Sequence, residues 1–408
     1  MDMDDEKVTL SQRITVYLIS ALIVGLTAAF FLLPHRDFSD NENRRLASLP
    51  EFSFKTLQSG RLTGGLKDYA SDHFPFRDEF LGMMSGALRS SGRKEIGGVY
   101  LAKDGALINA YAEPRYVEKD ITQWTRLAQN VEHAKVYLML VPTAVSVESE
   151  KLPDGAPDAA AQALYEKDKT AVYPAAVQQR TIDEIYAAMP REVNCVDVAS
   201  VLKADAAWTK EAGAEGAAAR RIYYRTDHHW TTYGAYLGYR AFCESAGLSA
   251  EPLPGFQTET VTAEFRGTIW SKLCDPHFAG EEIVIRRSPG WKLTVRYEDT
   301  KTESDSPYNL EYADKKDKYS LFLDNQHTLI TITNDAVEEG AIAVVKDSYA
   351  NCFVPYLLDH YHTVYVFDTR YYRGGPSAFI NEHPEITELL ILYNMGTLDN
   401  DTGIGGIY

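Results

Sequence analysis

The chain has 408 residues, 45% of them hydrophobic and 12% aromatic, enough for one large domain plus an anchor or for two domains. A formal net charge of −17 argues against a nucleic-acid partner, since phosphate binding needs a basic face, and leaves a neutral glycan open. Four scattered cysteines, Cys195, Cys243, Cys274 and Cys352, make no CxxC pair, which sets aside zinc-knuckle and thioredoxin-type sites; one bridge, such as Cys243 to Cys274, stays open.

In chain order, the first feature is Ile14 to Leu33, an uncharged apolar run long enough at ~1.5 Å per residue to cross a bilayer core of roughly 30 Å. It is longer than a signal-peptide core and lacks a small-x-small cleavage site before Pro34, so an uncleaved anchor over 14–34 is expected, after a cytoplasmic tail over 1–13. Positive charges are nearly balanced on its two sides. The N-in, C-out orientation rests on the large polar domain that follows. Residues 35–94 read as a juxtamembrane stalk with a helix near Asp78 to Arg93. A domain over 95–408 follows.

Within that domain, Val99-Tyr100-Leu101 and Ala106-Leu107-Ile108 flank a Lys103-Asp104-Gly105 turn, a hairpin signal. Val136 to Val141 is a continuous apolar run, as a buried parallel strand reads. Asp158 to Met189 is largely helical, Val193 to Val198 is a short strand, and Thr231 to Ala246 is a helix capped by Thr231 or Thr232. About 281–334 is β-rich and reads as an inserted element. Ala341 to Val345, Thr363 to Phe367 and Glu388 to Tyr393 are apolar strands at helix-length spacing, which implies a parallel sheet flanked by helices.

Two clusters carry chemistry. In Thr226-Asp227-His228-His229-Trp230, a carboxylate two positions before a histidine can accept from Nδ1–H and leave Nε2 free as a base. Adjacent histidines are equally often structural or half of a metal site. In Lys346-Asp347-Ser348-Tyr349-Ala350, Ser348 follows a parallel strand, at the sheet edge where sites of open α/β sheets lie. The plain alternative is a helix N-cap. Asn394 follows a neighbouring strand and could donate to an oxyanion, although alone it reads as a turn residue.

These residues resemble the DHHW protein family, whose motif stands here as Asp227-His228-His229-Trp230. More distantly, the chain is similar to the alginate O-acetyltransferase proteins of the SGNH-hydrolase superfamily. The likeness runs from about Phe38 and takes in Glu42-Asn43-Arg44-Arg45-Leu46, Asp72 to Arg77, Tyr319 to Leu323, Lys346 to Asn351, and Phe367 to Tyr372. It implies an SGNH-like α/β fold with the Asp-x-His element ahead of the Ser element: Asp227 orients, His229 is the base and Ser348 the nucleophile. Lys346 stands where the superfamily has Gly. His228, Tyr349, Asn394, Asp368, Arg370 and Tyr372 become candidates for oxyanion or substrate contacts.

The leading expectation is therefore transfer of an acyl group, acetyl above all, to an extracytoplasmic polysaccharide, with the donor supplied through a membrane-bound O-acyltransferase partner and with no cofactor or metal. A carbohydrate esterase using the same residues is the alternative. A non-catalytic glycan-binding or assembly factor follows. A metal-dependent phosphoesterase ranks last, because the other histidines lack ligand spacing.

Overall fold

The computed structural model describes residues 9–39, 44–212 and 220–407. The chain divides into two compact units, Met1–Ala87 and Leu88–Tyr408.

In the first unit the apolar run forms the helix Leu10–Leu32, started by a capping box between Thr9 and Gln12. This helix is long and apolar enough to cross a membrane, a test that a signal sequence also meets. Beyond it, β1 (Phe38–Ser39) pairs antiparallel with β2 (Arg44–Arg45). Arg44 grips Asp72 with two hydrogen bonds of 2.8 and 2.6 Å, and Ala47 N–H adds a third at 2.8 Å. The Arg44 contact outweighs burial and holds the Asp72 carboxyl at about 2. Two motifs distant in sequence, Arg44-Arg45-Leu46 and Asp72-His73-Phe74, thus form one clamp; Glu42 and Asn43 lie outside the described residues. The stretch expected to be a stalk contains the helices Phe54–Gln58 and Arg61–Asp72, and the helix Arg77–Ser90 continues into the second unit.

The second unit begins with a small antiparallel sheet, β3 (Glu95–Ile96), β4 (Val99–Leu101) and β5 (Leu107–Asn109). Five parallel strands follow: β6 (Lys135–Val141), β7 (Val193–Cys195), β13 (Ala341–Lys346), β14 (Thr363–Phe367) and β15 (Ile386–Asn394), in the order β14-β13-β15-β6-β7. Alternate side chains of these strands feed two different cores. Val136, Leu138, Leu140, Ala343 and Val345 enter one, with Trp124, Leu127, Ile182 and Ile185 from the helices Val117–Asn130 and Gln178–Ala188. Tyr137, Met139, Val141, Ile342 and Val344 enter the other, with Leu202, Leu237 and Phe242 from the helices Val198–Ala212 and Thr232–Ala246. Because both faces are covered, the central strands read as largely apolar runs, Val136 to Val141 and Ala341 to Val345 without a break.

The β-rich stretch over 281–334 divides between two sheets. β9 (Glu281–Arg287) pairs with β8 (Gln257–Phe265) in a separate ribbon. β10 (Leu293–Tyr297), β11 (Thr302–Ser304) and β12 (Leu329–Asn334) extend the central sheet antiparallel beyond β14, giving eight strands. The helix expected over Asp158 to Met189 is two, Pro157–Lys167 and Gln178–Ala188. Asp168 leaves the first with extended backbone, and Pro174 in the intervening loop has no N–H to continue a helical ladder. All four cysteines are free, so Cys243 and Cys274 form no bridge.

Candidate active site

The site is assembled from two segments that leave the sheet region separately. One is the loop before the helix Thr232–Ala246, whose N-cap is Thr231, accepting from Tyr233 and Gly234 N–H. Tyr223 and Trp230 bridge its ends. The Trp230 indole is fully buried and donates to Tyr349 O at 2.8 Å, which ties this loop to the Ser348 segment. Trp230 lies so close to the helix that a Cβ at Gly238 would come within 2.7 Å of its ring. Half-buried Glu281 on β9 holds the loop's entrance, accepting from Arg225 N–H, Thr226 N–H and the Thr226 hydroxyl at 2.7, 2.7 and 2.6 Å.

In the other segment, β13 runs into a 3-10 turn, Ser348–Cys352. Its cap is Asp347 rather than Ser348: Asp347 Oδ1 accepts from Tyr349 N–H at 2.9 Å. Asp347 Oδ2 accepts from Asn394 N–H, the Asn394 amide and the Thr397 hydroxyl at 2.7, 2.7 and 2.8 Å. Asp347 is thus held by four bonds and leaves the Ser348 hydroxyl free of any capping role. The turn, five residues long, is too short for a macrodipole of consequence.

Asp227, His229 and Ser348 converge. His229 Nδ1 lies 2.5 Å from Asp227 Oδ1, and His229 Nε2 lies 2.8 Å from Ser348 Oγ. Asp227 Oδ2 also accepts from Thr268 N–H at 2.7 Å and the Thr268 hydroxyl at 3.0 Å. Burial works to raise the Asp227 carboxyl, and the charges of His229 and His228 with these hydrogen bonds outweigh it, so Asp227 stays ionised well below the usual carboxylate range. Gly267 is required beside it, because a Cβ there would overlap the Asp227 carboxylate. Tyr319 stacks on the His229 ring, centroids 3.7 Å apart and planes 7° from parallel, and its hydroxyl donates to Ser348 O at 3.1 Å. Ser348 itself is partly exposed. Among the described residues its backbone N–H makes no hydrogen bond.

The remaining candidates find other employment. Asn394 is fully buried, and its amide hydrogens go to Asp347 and, at 3.2 Å, to Thr397. It anchors the cap of the Ser348 turn. Tyr349 is likewise fully buried, with its hydroxyl on His228 O, out of reach of a substrate. Asp368 is 0% exposed and pairs with Lys346 Nζ at 3.1 Å and with Arg370 Nε at 2.8 Å. Burial raises its carboxyl, the two cations prevail, and it is held at about 2. Lys346 therefore has its charge neutralised in this buried cluster. Tyr372 packs edge-on against Phe367. His228 lines a cavity of about 510 Å³, whose wall Asn394 also joins. Sequence reasoning passed over Thr268, Gly267 and Glu281 altogether; they come from the β8–β9 region and carry no spacing signal relative to the Asp227 loop.

Asp227, His228 and His229 each bring one ligand-type atom within 4.8 Å of the others and could together hold a metal ion. As arranged, the Asp227 and His229 atoms are bonded to each other and His228 Nδ1 is bonded to Thr268.

Fold and residue set together define an α/β protein with a mostly parallel, helix-flanked sheet and an Asp-His-Ser set at its edge. Residues 86–367 match the DHHW protein family, and the chain belongs to it. Among solved structures it is similar to a DHHW family protein from Eubacterium siraeum, at 23% identity and a TM-score of 0.60 over 76% of this chain and 95% of that one. It is also similar to Bacillus cereus PatB1, solved with a sulfonyl adduct, at 19% identity and a TM-score of 0.57 over 77% of this chain and 100% of that one. The O-acetyltransferase domain of Pseudomonas putida AlgJ matches at 16% identity and a TM-score of 0.41, over 74% and 93% of the two chains. No curated protein sequence matches the chain.

Proposed function

We propose that this protein is a membrane-anchored O-acyltransferase, acetyl being the expected group, that modifies a polysaccharide on the extracytoplasmic side through an acyl-enzyme on Ser348. The observation that carries this reading is the 2.8 Å approach of His229 Nε2 to the partly exposed Ser348 Oγ, with Asp227 behind the ring. His229 takes the Ser348 proton as Oγ attacks the donor carbonyl. The oxyanion meets the free N–H of Ser348, and the donor's leaving group departs with the proton from His229. In the second half, His229 takes the proton of a sugar hydroxyl, the sugar oxygen attacks the acyl carbon, and Ser348 leaves with that proton. One ester bond is broken and one formed in each half, with no oxidant or cofactor. A membrane-bound O-acyltransferase would supply the donor, since an exported domain has no direct access to cytoplasmic acyl thioesters. The helix Leu10–Leu32 would keep the site beside it.

The test uses the full-length protein in detergent micelles with p-nitrophenyl acetate, read by intact-mass and peptide mass spectrometry. An acetyl adduct on Ser348, absent from Ser348→Ala and discharged faster by a glycan than by water, is the expected result. Discharge by water alone would make the protein an esterase. No adduct in a folded protein would overturn the acyl-enzyme and leave a binding or assembly role.

A further inference from the structure

The two adjacent histidines are locked by the same carboxylate in different ways. Thr268 Oγ1 lies 3.0 Å from Asp227 Oδ2 and 2.6 Å from His228 Nδ1. Asp227 is ionised and can only accept, so the single hydroxyl hydrogen of Thr268 points to it. Thr268 Oγ1 must then accept from His228, which puts the ring hydrogen on Nδ1. Burial, with the neighbouring His229, holds the His228 pKa at about 4, so near neutral pH the ring is uncharged and Nε2 carries a bare lone pair.

That lone pair has no partner among the described residues, and it is not among the sealed polar atoms. The His228 side chain is 28% exposed and lines the cavity of about 510 Å³ together with Asp227, Ile269 and Lys272. Lys272 Nζ donates to Asn109 Oδ1 at 2.8 Å and, among the described residues, pairs with no carboxylate, which leaves N–H groups to offer an oxygen in the same cavity. His229 works differently, since its Nε2 is engaged by Ser348. Ring centroids of the two histidines are 3.8 Å apart, so a group held by one lies beside the group served by the other.

We propose that this cavity is the acceptor subsite and selects vicinal diols: the hydroxyl next to the reacting one donates to His228 Nε2, Lys272 donates to an oxygen of the same ring, and the reacting hydroxyl is left for His229. The assignment rests on the transferase reading above. It divides the work of the two rings. His229 moves the proton, while His228, too weakly basic to compete for it, holds the acceptor's second hydroxyl.

The experiment measures acyl transfer from Ser348 to trans-1,2-cyclohexanediol and to cyclohexanol in competition, on full-length protein in detergent micelles, by gas chromatography of the two acetate esters. A neutral hydrogen bond predicts a preference for the diol of about fivefold beyond the statistical factor of its two hydroxyls. His228→Asn keeps a donor for Thr268 and removes Nε2, and it is expected to bring the preference down to the statistical value. His228→Gln, whose amide oxygen reaches toward the Nε2 position, is expected to restore part of it. Lys272→Met lowers it partway and serves as an independent probe should the loop variants misfold. Equal use of the two alcohols by the wild type, or a preference unchanged in His228→Asn, would overturn the subsite while leaving the acyl-enzyme standing. Absence of any Ser348 ester would overturn both.

Discussion

Asp227 and Asp368 are both buried carboxylates beside the central sheet, and both are held ionised by neighbours. They differ in where their hydrogen bonds lead. From Asp227 the chain of contacts runs through His229 to Ser348, a hydroxyl that reaches solvent. From Asp368 it runs to Lys346 and Arg370, and the charges close on one another. A buried charge whose partners end in a satisfied cluster holds structure. One whose partners end on a partly exposed hydroxyl is placed to do work. Local sequence does not tell them apart, because each is an acid flanked by plausible partners.

That division can be broken by experiment. The largest effect is expected for His229→Ala, which should slow formation of the Ser348 adduct by at least about 10⁴-fold while the denaturation midpoint stays near the wild-type value. A loss of stability matching the loss of rate would mean that the Asp227 side is structural as well. Asp368→Ala should do the reverse, leaving buried Lys346 without its counter-ion and lowering unfolding free energy by about 3–5 kcal/mol in urea titrations, with the adduct still formed at temperatures where the variant is folded.

Acid sharpens the same point. Asp368 is held at about 2, below the ~3.9 of an unfolded chain, so its stabilising contribution is complete above about pH 4 and is lost as the pH falls from there toward 2. On the order of 2 kcal/mol of stability should disappear across that window, and Asp368→Asn should flatten this part of the curve. An unchanged acid limb in Asp368→Asn would remove the ion cluster from the account. The smallest effect is expected for Tyr319→Phe, which keeps the ring stacked on His229 and deletes the hydrogen bond to Ser348 O; a loss of about 1 kcal/mol, roughly fivefold in acylation rate, is the expected reading.

Much of the fold was legible because its signals are local. The helix Leu10–Leu32 is announced by an uncharged, mainly apolar run of twenty residues, and β6, β13 and β15 by runs that must be apolar on both sides when both faces are covered. The helix after the Asp227 loop declares its start through Thr231, whose hydroxyl caps it. The pairing of β10 to β12 with the central sheet was not legible, since an alternating strand shows which face is buried without saying against which neighbour.

By itself, then, the sequence determined the anchor-like helix, the order of strands and helices, and the two short segments that contain Asp227, His229 and Ser348. Tertiary structure decided what those segments become. It brought Ser348 within 2.8 Å of a histidine 119 positions earlier, and it gave Asn394 to Asp347 across 47 positions. It also supplied Thr268 and Glu281 from the β8–β9 region to fix the loop, and it closed Lys346 onto Asp368. Short-range spacing governs backbone conformation, whereas the partner that a buried polar atom finds depends on which strands lie side by side, and that is settled only when the whole sheet has formed.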